Sequence, residues 1–222
     1  MRGYGQFCPV AIASEVFAER WTPLVVRELY CGSRRFNELL HGLPRIPRSV
    51  LTQRLRTLEA TGVIERRVDH ERRGIAYHLT PAGMELGEIV LSLGDWGQRW
   101  ANVEIKERNL DPDLLIWDLH RRLDTERLPD HRSVVQFDLT GSHRKSYWLV
   151  LERPEASVCW TDPGFEPELV VTADTVALHR VWLGQLELAL ALRTGQIALE
   201  GPAELRRAFP EWLKLSIFTE RR

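Results

Sequence analysis

The amino-acid sequence predicts an α+β protein of two domains: a mostly helical first half closed by a β-hairpin, then a half in which strands precede helices. Three observations carry that expectation. Apolar residues recur at spacings of three and four through residues 8–60, the period of a helix face. Two short β-prone runs, VIERRVD and IAYHLT, follow, joined by the charged turn HERRG. Beyond residue 113, four strand-like runs come before most of the helical ones, the order of an α+β sheet covered on one side. The polar segment 103–113, VEIKERNLDPD, separates the halves and gives domains of residues 1–102 and 103–222.

A chain of 222 residues is long enough for two such domains. With 44% hydrophobic and 27% charged residues it falls among ordinary globular proteins rather than disordered ones. No apolar run approaches the roughly 18 residues of a membrane helix. Glu15, Glu19 and Arg20 interrupt every candidate signal-peptide core, so a cytoplasmic protein without a membrane partner is expected. The cysteines Cys8, Cys31 and Cys159 are too scattered for a disulfide framework or a zinc cluster. A net charge of -1 conceals an asymmetry: residues 1–73 hold 13 Arg and no Lys against 8 acidic residues, whereas 74–222 hold 17 basic and 23 acidic ones. A basic first third suits a phosphate-facing surface, although a solvated face has the same composition.

Residues 8–31 read as two short helices. Val10, Ile12, Val16 and Phe17 form one apolar stripe, and Trp21, Leu24, Val25 and Leu29 form another, with Pro23 in a tolerant first turn. Gly32 ends the second helix, and Ser33 is placed to cap the third, RRFNELLHG, which buries Phe36, Leu39 and Leu40 and stops at Gly42. LPRIP is a proline-rich turn. The fourth helix runs from about Arg48 to Ala60. At 100° per residue Leu51, Leu55 and Leu58 share one face, and Ser49, Thr52, Gln53 and Arg56 fall opposite. Those side chains are of the types that hydrogen-bond base edges, yet an ordinary amphipathic surface helix has the same pattern. The hairpin that follows separates the two readings. Helix, turn, helix, hairpin is the order of a winged helix-turn-helix domain, and double-stranded DNA is its expected partner. Arg72 and Arg73 then lie at the wing tip, where they suit a sugar-phosphate backbone. Arg34 and Arg35 at the start of the third helix are further phosphate candidates, and Arg48 opens the recognition helix.

Thr80, Pro81 and Gly83 open another helix, along which Leu86, Ile89, Val90, Leu93, Trp96 and Trp100 recur at spacings of three and four. Such a stripe serves either the domain core or the seam of a homodimer, and its two terminal tryptophans favour the seam. In the second domain a helix is expected around Leu114–Leu123, then a meander of SVVQFDLTG, HRKSYWLVLER, ASVCWTDP and PELVVTAD. Val135, Phe137 and Leu139 alternate as a half-buried antiparallel strand requires. Asp174 caps a helix through Leu183, a second helix through Arg193 stops at Gly195, and a last one starts at Pro202 after the strand IALEG.

A resemblance covers residues 6–102. Cys8-Pro9, Arg20-Trp21-Thr22, Arg27-Glu28-Leu29, Arg35-Phe36-Asn37-Glu38-Leu39, Leu51-Thr52-Gln53-Arg54-Leu55 and Leu79-Thr80-Pro81-Ala82-Gly83 resemble the HxlR family of bacterial winged-helix regulators. That resemblance implies a homodimer on a pseudo-palindromic operator, with the first and last helices of the domain building the dimer. Residues 112–219 carry a second one. The strand before Ala173-Asp174, Trp182 in the next helix, and Gly195-Gln196-Ile197 before Glu200-Gly201 resemble the sterol-carrier-protein fold. Members of that fold hold apolar molecules between sheet and helices. An apolar small-molecule ligand is thereby implied, with Trp148, Trp160, Trp182 and Trp212 lining its pocket or else filling a core.

An enzyme is the competing class, but no nucleophile elbow, phosphate loop, dinucleotide fingerprint or paired-histidine metal motif is present. No catalytic residue, metal or cofactor is expected. A lipid carrier without a DNA role conflicts with the intact recognition helix. Cys8 matches the cysteine with which some members of the resembled family sense oxidants, and such sensing needs a thiolate near positive charge, for which Arg2 is the candidate although nothing in the sequence shows that the two meet. A small thiol packed against the first helix is the other reading.

Overall fold

Helix boundaries in the first domain follow from the residues at their ends. The computed structural model describes residues 3–70, 73–101 and 110–220. Arg2, Arg72 and linker residues 103–109 lie outside them. The chain divides into two units, Met1–Ala101 and Asn102–Arg222. In the first, α1 (Pro9–Phe17), α2 (Thr22–Tyr30), α3 (Phe36–Gly42) and α4 (Arg48–Ala60) precede the hairpin β1 (Ile64–Asp69) and β2 (Gly74–Leu79), and α5 (Pro81–Trp100) closes the unit. This is a winged helix-turn-helix. Proline opens α1, α2 and α5, where its missing N–H has no intrahelical partner to lose. Thr80 caps α5, its Oγ1 accepting from Gly83 N at 3.2 Å. The two strands pair antiparallel from Ile64↔Leu79 to Asp69↔Gly74.

One core holds the unit together: Val25, Val26 and Leu29 of α2, Leu39 of α3, Leu51, Leu55 and Leu58 of α4, Ile64 of β1 and Val90 of α5. The expected stripe on α2 is rotated, since Leu24 is exposed and Val26 is fully buried in its place. Leu39 alone of the expected α3 trio is fully buried, and Phe36 and Leu40 pack partly buried against the core. On α1 only Val16 and Phe17 reach the core, leaving Val10 and Ile12 in solvent. Ser33 is not the cap of α3. Its hydroxyl donates to the buried Glu28 carboxylate at 3.2 Å, and the residue preceding the helix is Arg35. A buried charge needs donors more than an exposed helix end does.

The second unit holds α6 (Pro112–Arg121), a 3-10 turn, β3 (Ser133–Thr140), β4 (Lys145–Glu152), β5 (Glu155–Cys159), β6 (Leu169–Asp174), α7 (Thr175–Trp182), α8 (Leu188–Arg193), β7 (Ile197–Glu200), α9 (Ala203–Trp212) and α10 (Ile217–Glu220). Helix α6 starts ahead of the expected Leu114 because Asp111 caps it, its Oδ1 accepting from Leu114 N at 3.2 Å. The four strands do not form a simple meander. Strand order is β5-β4-β3-β6-β7, with β6 parallel to β3. Residues 160–168 carry the chain from one edge past three strand positions, a step of roughly 14 Å that nine residues span easily. On one sheet face Val135, Phe137, Leu139, Tyr147, Leu149 and Val171 pack against α6, α7 and α9 through Ile116, Leu178 and Phe209. Gln136, Asp138, Ser146 and Trp148 occupy the other, half-buried face. Among the described residues no helix is long and apolar enough to cross a membrane.

Candidate nucleic-acid interface

Helix α4 is anchored by leucine. With Leu51, Leu55 and Leu58 in the core, its opposite side is fixed toward solvent, and Ser49, Gln53 and Arg56 are exposed there. Thr52 is half-buried, and its hydroxyl donates back to Arg48 O at 2.9 Å, so only its lone pairs face outward. Arg48 sits over the Phe36 ring, 5.1 Å from its centroid, which steadies an otherwise exposed guanidinium. Arg56 makes no ion pair among the described residues. Arg54 points the other way, pairing with Glu19 and donating from Nε to Arg20 O at 3.2 Å. It ties the helix to the α1–α2 turn.

The remaining arginines divide between solvent and protein. Arg73 is exposed beside the wing tip at φ 44°, a left-handed conformation. Arg34 and Arg35 are half-buried, and their guanidinium groups are held by protein acceptors. Arg34 donates to Leu29 O and to Ser33 O (3.1 Å), while Arg35 Nη2 lies 2.7 Å from Asp69 Oδ2. Between α3 and the wing is a cleft of about 390 Å³ lined by Arg34, Arg35, Glu38, Arg67, Asp69 and His78, among others. Burial, with the nearby Arg34 and Arg67 guanidiniums, holds His78 below its ordinary pKa against the opposing pull of Glu65 and Asp69.

Sequence reasoning named Glu28 only within the landmark Arg27-Glu28-Leu29 and gave it no role in this region. It is fully buried, with Arg27 Nη2 2.6 Å from its Oε1 and Ser33 on its Oε2. Arg27 also donates to Gly42 O at 3.3 Å, joining α2 to the end of α3. A charged pair inside an otherwise apolar helix stripe was the available signal. Cys8 is a free, half-buried thiol at the N-cap of α1. On α1 and α5 large apolar side chains stand in solvent: Phe7 just before α1, Val10 and Ile12, and along one side of α5 Ile89, Leu93, Trp96 and Trp100, the last 70% exposed.

In the second unit the four tryptophans do not converge. Trp182 and Trp212 are buried in the core, and Trp160 packs against it, edge-on to Tyr147 with centroids 5.9 Å apart. Trp148 lies on the opposite sheet face, its Nε1 donating to Gln136 Oε1 at 3.2 Å. A strand turns successive side chains to opposite sides, so Trp148 is out of phase with Tyr147 and Leu149. Among the described residues no cluster of three His, Cys, Asp or Glu side chains is placed to hold a metal ion.

Comparison with known proteins finds one family model, the HxlR-like helix-turn-helix, matching residues 16–105. An uncharacterised helix-turn-helix transcriptional regulator of Synechocystis is 36% identical over 107 residues, covering 48% of this chain and 79% of that one. The uncharacterised regulator YybR of Bacillus subtilis is 36% identical over 92 residues, 41% of this chain and 74% of its own. A structure of the redox regulator HypR in its reduced form is 34% identical, with a TM-score of 0.40, over 43% of this chain and 96% of that one.

Proposed function

Because the chain belongs to the HxlR-like helix-turn-helix family, we propose that it is a transcriptional regulator that binds operator DNA as a homodimer, with α4 in the major groove. The observation that carries this reading is the two-sided character of α4: three leucines locked in the core leave Ser49, Gln53 and Arg56 standing in solvent on a rigid helix. Thr52 joins them as an acceptor. Arg48, Arg73 and Arg72 supply charge to flanking phosphates, Arg72 lying outside the described residues. The exposed apolar chains of α1 and α5 are the dimer seam, since large apolar groups in water mark an interface. Selection of bound duplexes from a random library, followed by titration, tests this directly. A half-site repeated after about 34 Å of duplex is expected for a two-fold dimer. Failure to enrich any sequence overturns the reading.

A ligand-binding role for the second domain, with the sterol-carrier-like architecture, is favoured by one observation. Trp212 Nε1 is buried in the core with no hydrogen-bond partner among the described residues, and burying an unmet donor is costly. An apolar ligand carrying one acceptor oxygen satisfies it. Native mass spectrometry of the purified protein tests for co-purifying ligand, and an empty spectrum together with no binding of fatty-acyl or sterol probes rejects this role. Thiol sensing at Cys8 rests on its being a free, half-buried thiol at the start of α1. Loss of operator binding on oxidation, retained in Cys8→Ser, would refute it.

A further inference from the structure

We infer that Arg35 is a wing-positioning residue: its ion pair with Asp69 clamps the β-hairpin to the α2–α3 turn and so sets where the wing meets DNA. The clamp rests on the DNA-binding reading above only for its consequence, not for its geometry. An isolated two-stranded hairpin is marginal in water and takes its direction from what supports it. Here the support is the turn at residues 33–35. Tyr77 N donates to Arg34 O at 2.7 Å, a main-chain bond from β2 to the turn. The Glu38 carboxylate accepts from both Arg34 N (2.7 Å) and Arg35 N (3.0 Å), which fixes the backbone from which the Arg35 side chain extends. Arg34 folds inward onto Leu29 O and Ser33 O and holds the same turn to the end of α2.

Asp69 is the last residue of β1, paired in register with Gly74, so a bond to it restrains the hairpin at its outer end. Arg35 also passes close to Gly74, where an added Cβ would lie 3.6 Å from Nη1. Both strands of the outer hairpin therefore lie near one guanidinium, and Asp69 is bonded to it. The two charged side chains are about a quarter exposed, 26% and 23%, and 34 residues apart in sequence, so their bond is a cross-link between elements rather than a surface pair within one.

The sign of one substitution separates a clamp from a phosphate contact. Asp69 is a negative charge on a surface that meets a polyanion, so on charge alone its removal strengthens DNA binding. A clamp requires the opposite. Operator titrations of the full chain with Arg35→Ala, Asp69→Ala, Asp69→Asn, the Arg35→Ala/Asp69→Ala pair and the Arg35→Asp/Asp69→Arg swap measure it. Each single change is expected to weaken operator binding by roughly three- to thirtyfold. The double change should be no worse than either single, and the swap should recover much of the loss, the non-additivity of groups in contact. Base preference should not change. In the free protein, the wing amides of residues 64–69 and 74–79 should exchange faster in Asp69→Asn while the melting temperature stays close to wild type. Asp69 variants that bind the operator as well as wild type, or better, overturn the inference. Unchanged wing exchange does so independently of DNA. A wild-type protein that enriches no duplex defeats the DNA reading instead and leaves the exchange result to decide the clamp.

Discussion

Glu28 and Gly42 occupy complementary halves of one space: a Cβ on Gly42 would overlap Glu28 Oε2 and come within 2.9 Å of Oε1. The carboxylate is fully buried and keeps its place through Arg27 and Ser33. Any side chain at residue 42 therefore displaces a buried charge from its donors. Gly42→Ala is expected to lower the stability of the first domain by about 2 kcal/mol or more, combining overpacking with loss of a charged hydrogen bond. Ser33→Ala, which removes one donor without a clash, should cost about 1 kcal/mol. Denaturant unfolding of the full chain checks both, and an alanine at residue 42 that leaves the midpoint unmoved would show that the carboxylate has another place to go.

Base reading by α4 gives a second expectation. Gln53→Ala and Arg56→Ala should each weaken operator binding by roughly 1–3 kcal/mol and relax preference at one base position, as loss of a base-edge contact does. Arg73→Ala should instead weaken all duplexes about equally and reduce the salt slope by roughly one. Fluorescence anisotropy on selected and scrambled duplexes at several salt concentrations distinguishes these outcomes. Arg73 variants with altered base preference would contradict the assignment.

Dimerisation is tested on the exposed side of α5. Leu93→Asp or Trp96→Glu puts a charge where an apolar partner surface is expected, at small cost to a chain in which these positions face solvent. Light scattering at micromolar concentration should give a dimer for wild type and a monomer for either variant, with operator binding reduced accordingly. A monomeric wild type rules the seam out.

His179 is expected to make the second domain sensitive to acid. Burial pushes its pKa below the ordinary value of 6.5, and His143 adds to this, while the Thr175 carbonyl bond and Asp111 pull the other way. The folded state thus prefers the neutral ring, and the unfolded chain binds more protons between the folded-state pKa and 6.5. Stability contributed by this group is full above about pH 6.5 and is lost as pH falls through the folded-state pKa. Thermal melts between pH 7.5 and 5 should show that decline, and His179→Asn should flatten it. An unchanged slope in the variant would place the acid sensitivity elsewhere.

How far the sequence could be read depended on how local each determinant is. Helix α4 and the wing were legible because leucine spacing and a charged turn are signals within a few residues. The 33–35 turn was not. Ser33 has every local mark of a cap, and what redirects it is a carboxylate buried by the tertiary core. Arg34 and Arg35 read as free charge because their acceptors, Leu29 O and Asp69, are chosen by folding; Asp69 lies 34 residues away. The neighbour of β3 was hidden for a related reason, since strand order follows from a crossover that no residue spells out. Trp148 is different: its parity against Tyr147 and Leu149 was visible, and counting by two would have removed it from the proposed pocket.

The order of strands has a consequence for synthesis. Strand β3 is flanked by β4, the next strand in the chain, and by β6, whose last residue, Asp174, comes 41 positions after Ser133; β7 completes the sheet only at Glu200. The central strand therefore emerges from the ribosome long before one of its two neighbours exists. Every element of the winged helix, by contrast, has been made by Trp100. Domains fold as units from the N-terminal side during synthesis, and non-local pairing is slow. The DNA-reading half is thus complete while the sheet of the second half still waits for its sequence, and a nascent chain long enough to expose residues 1–152 outside the ribosome but not yet β6 should carry a protease-resistant first domain beside a hairpin that is still cleaved.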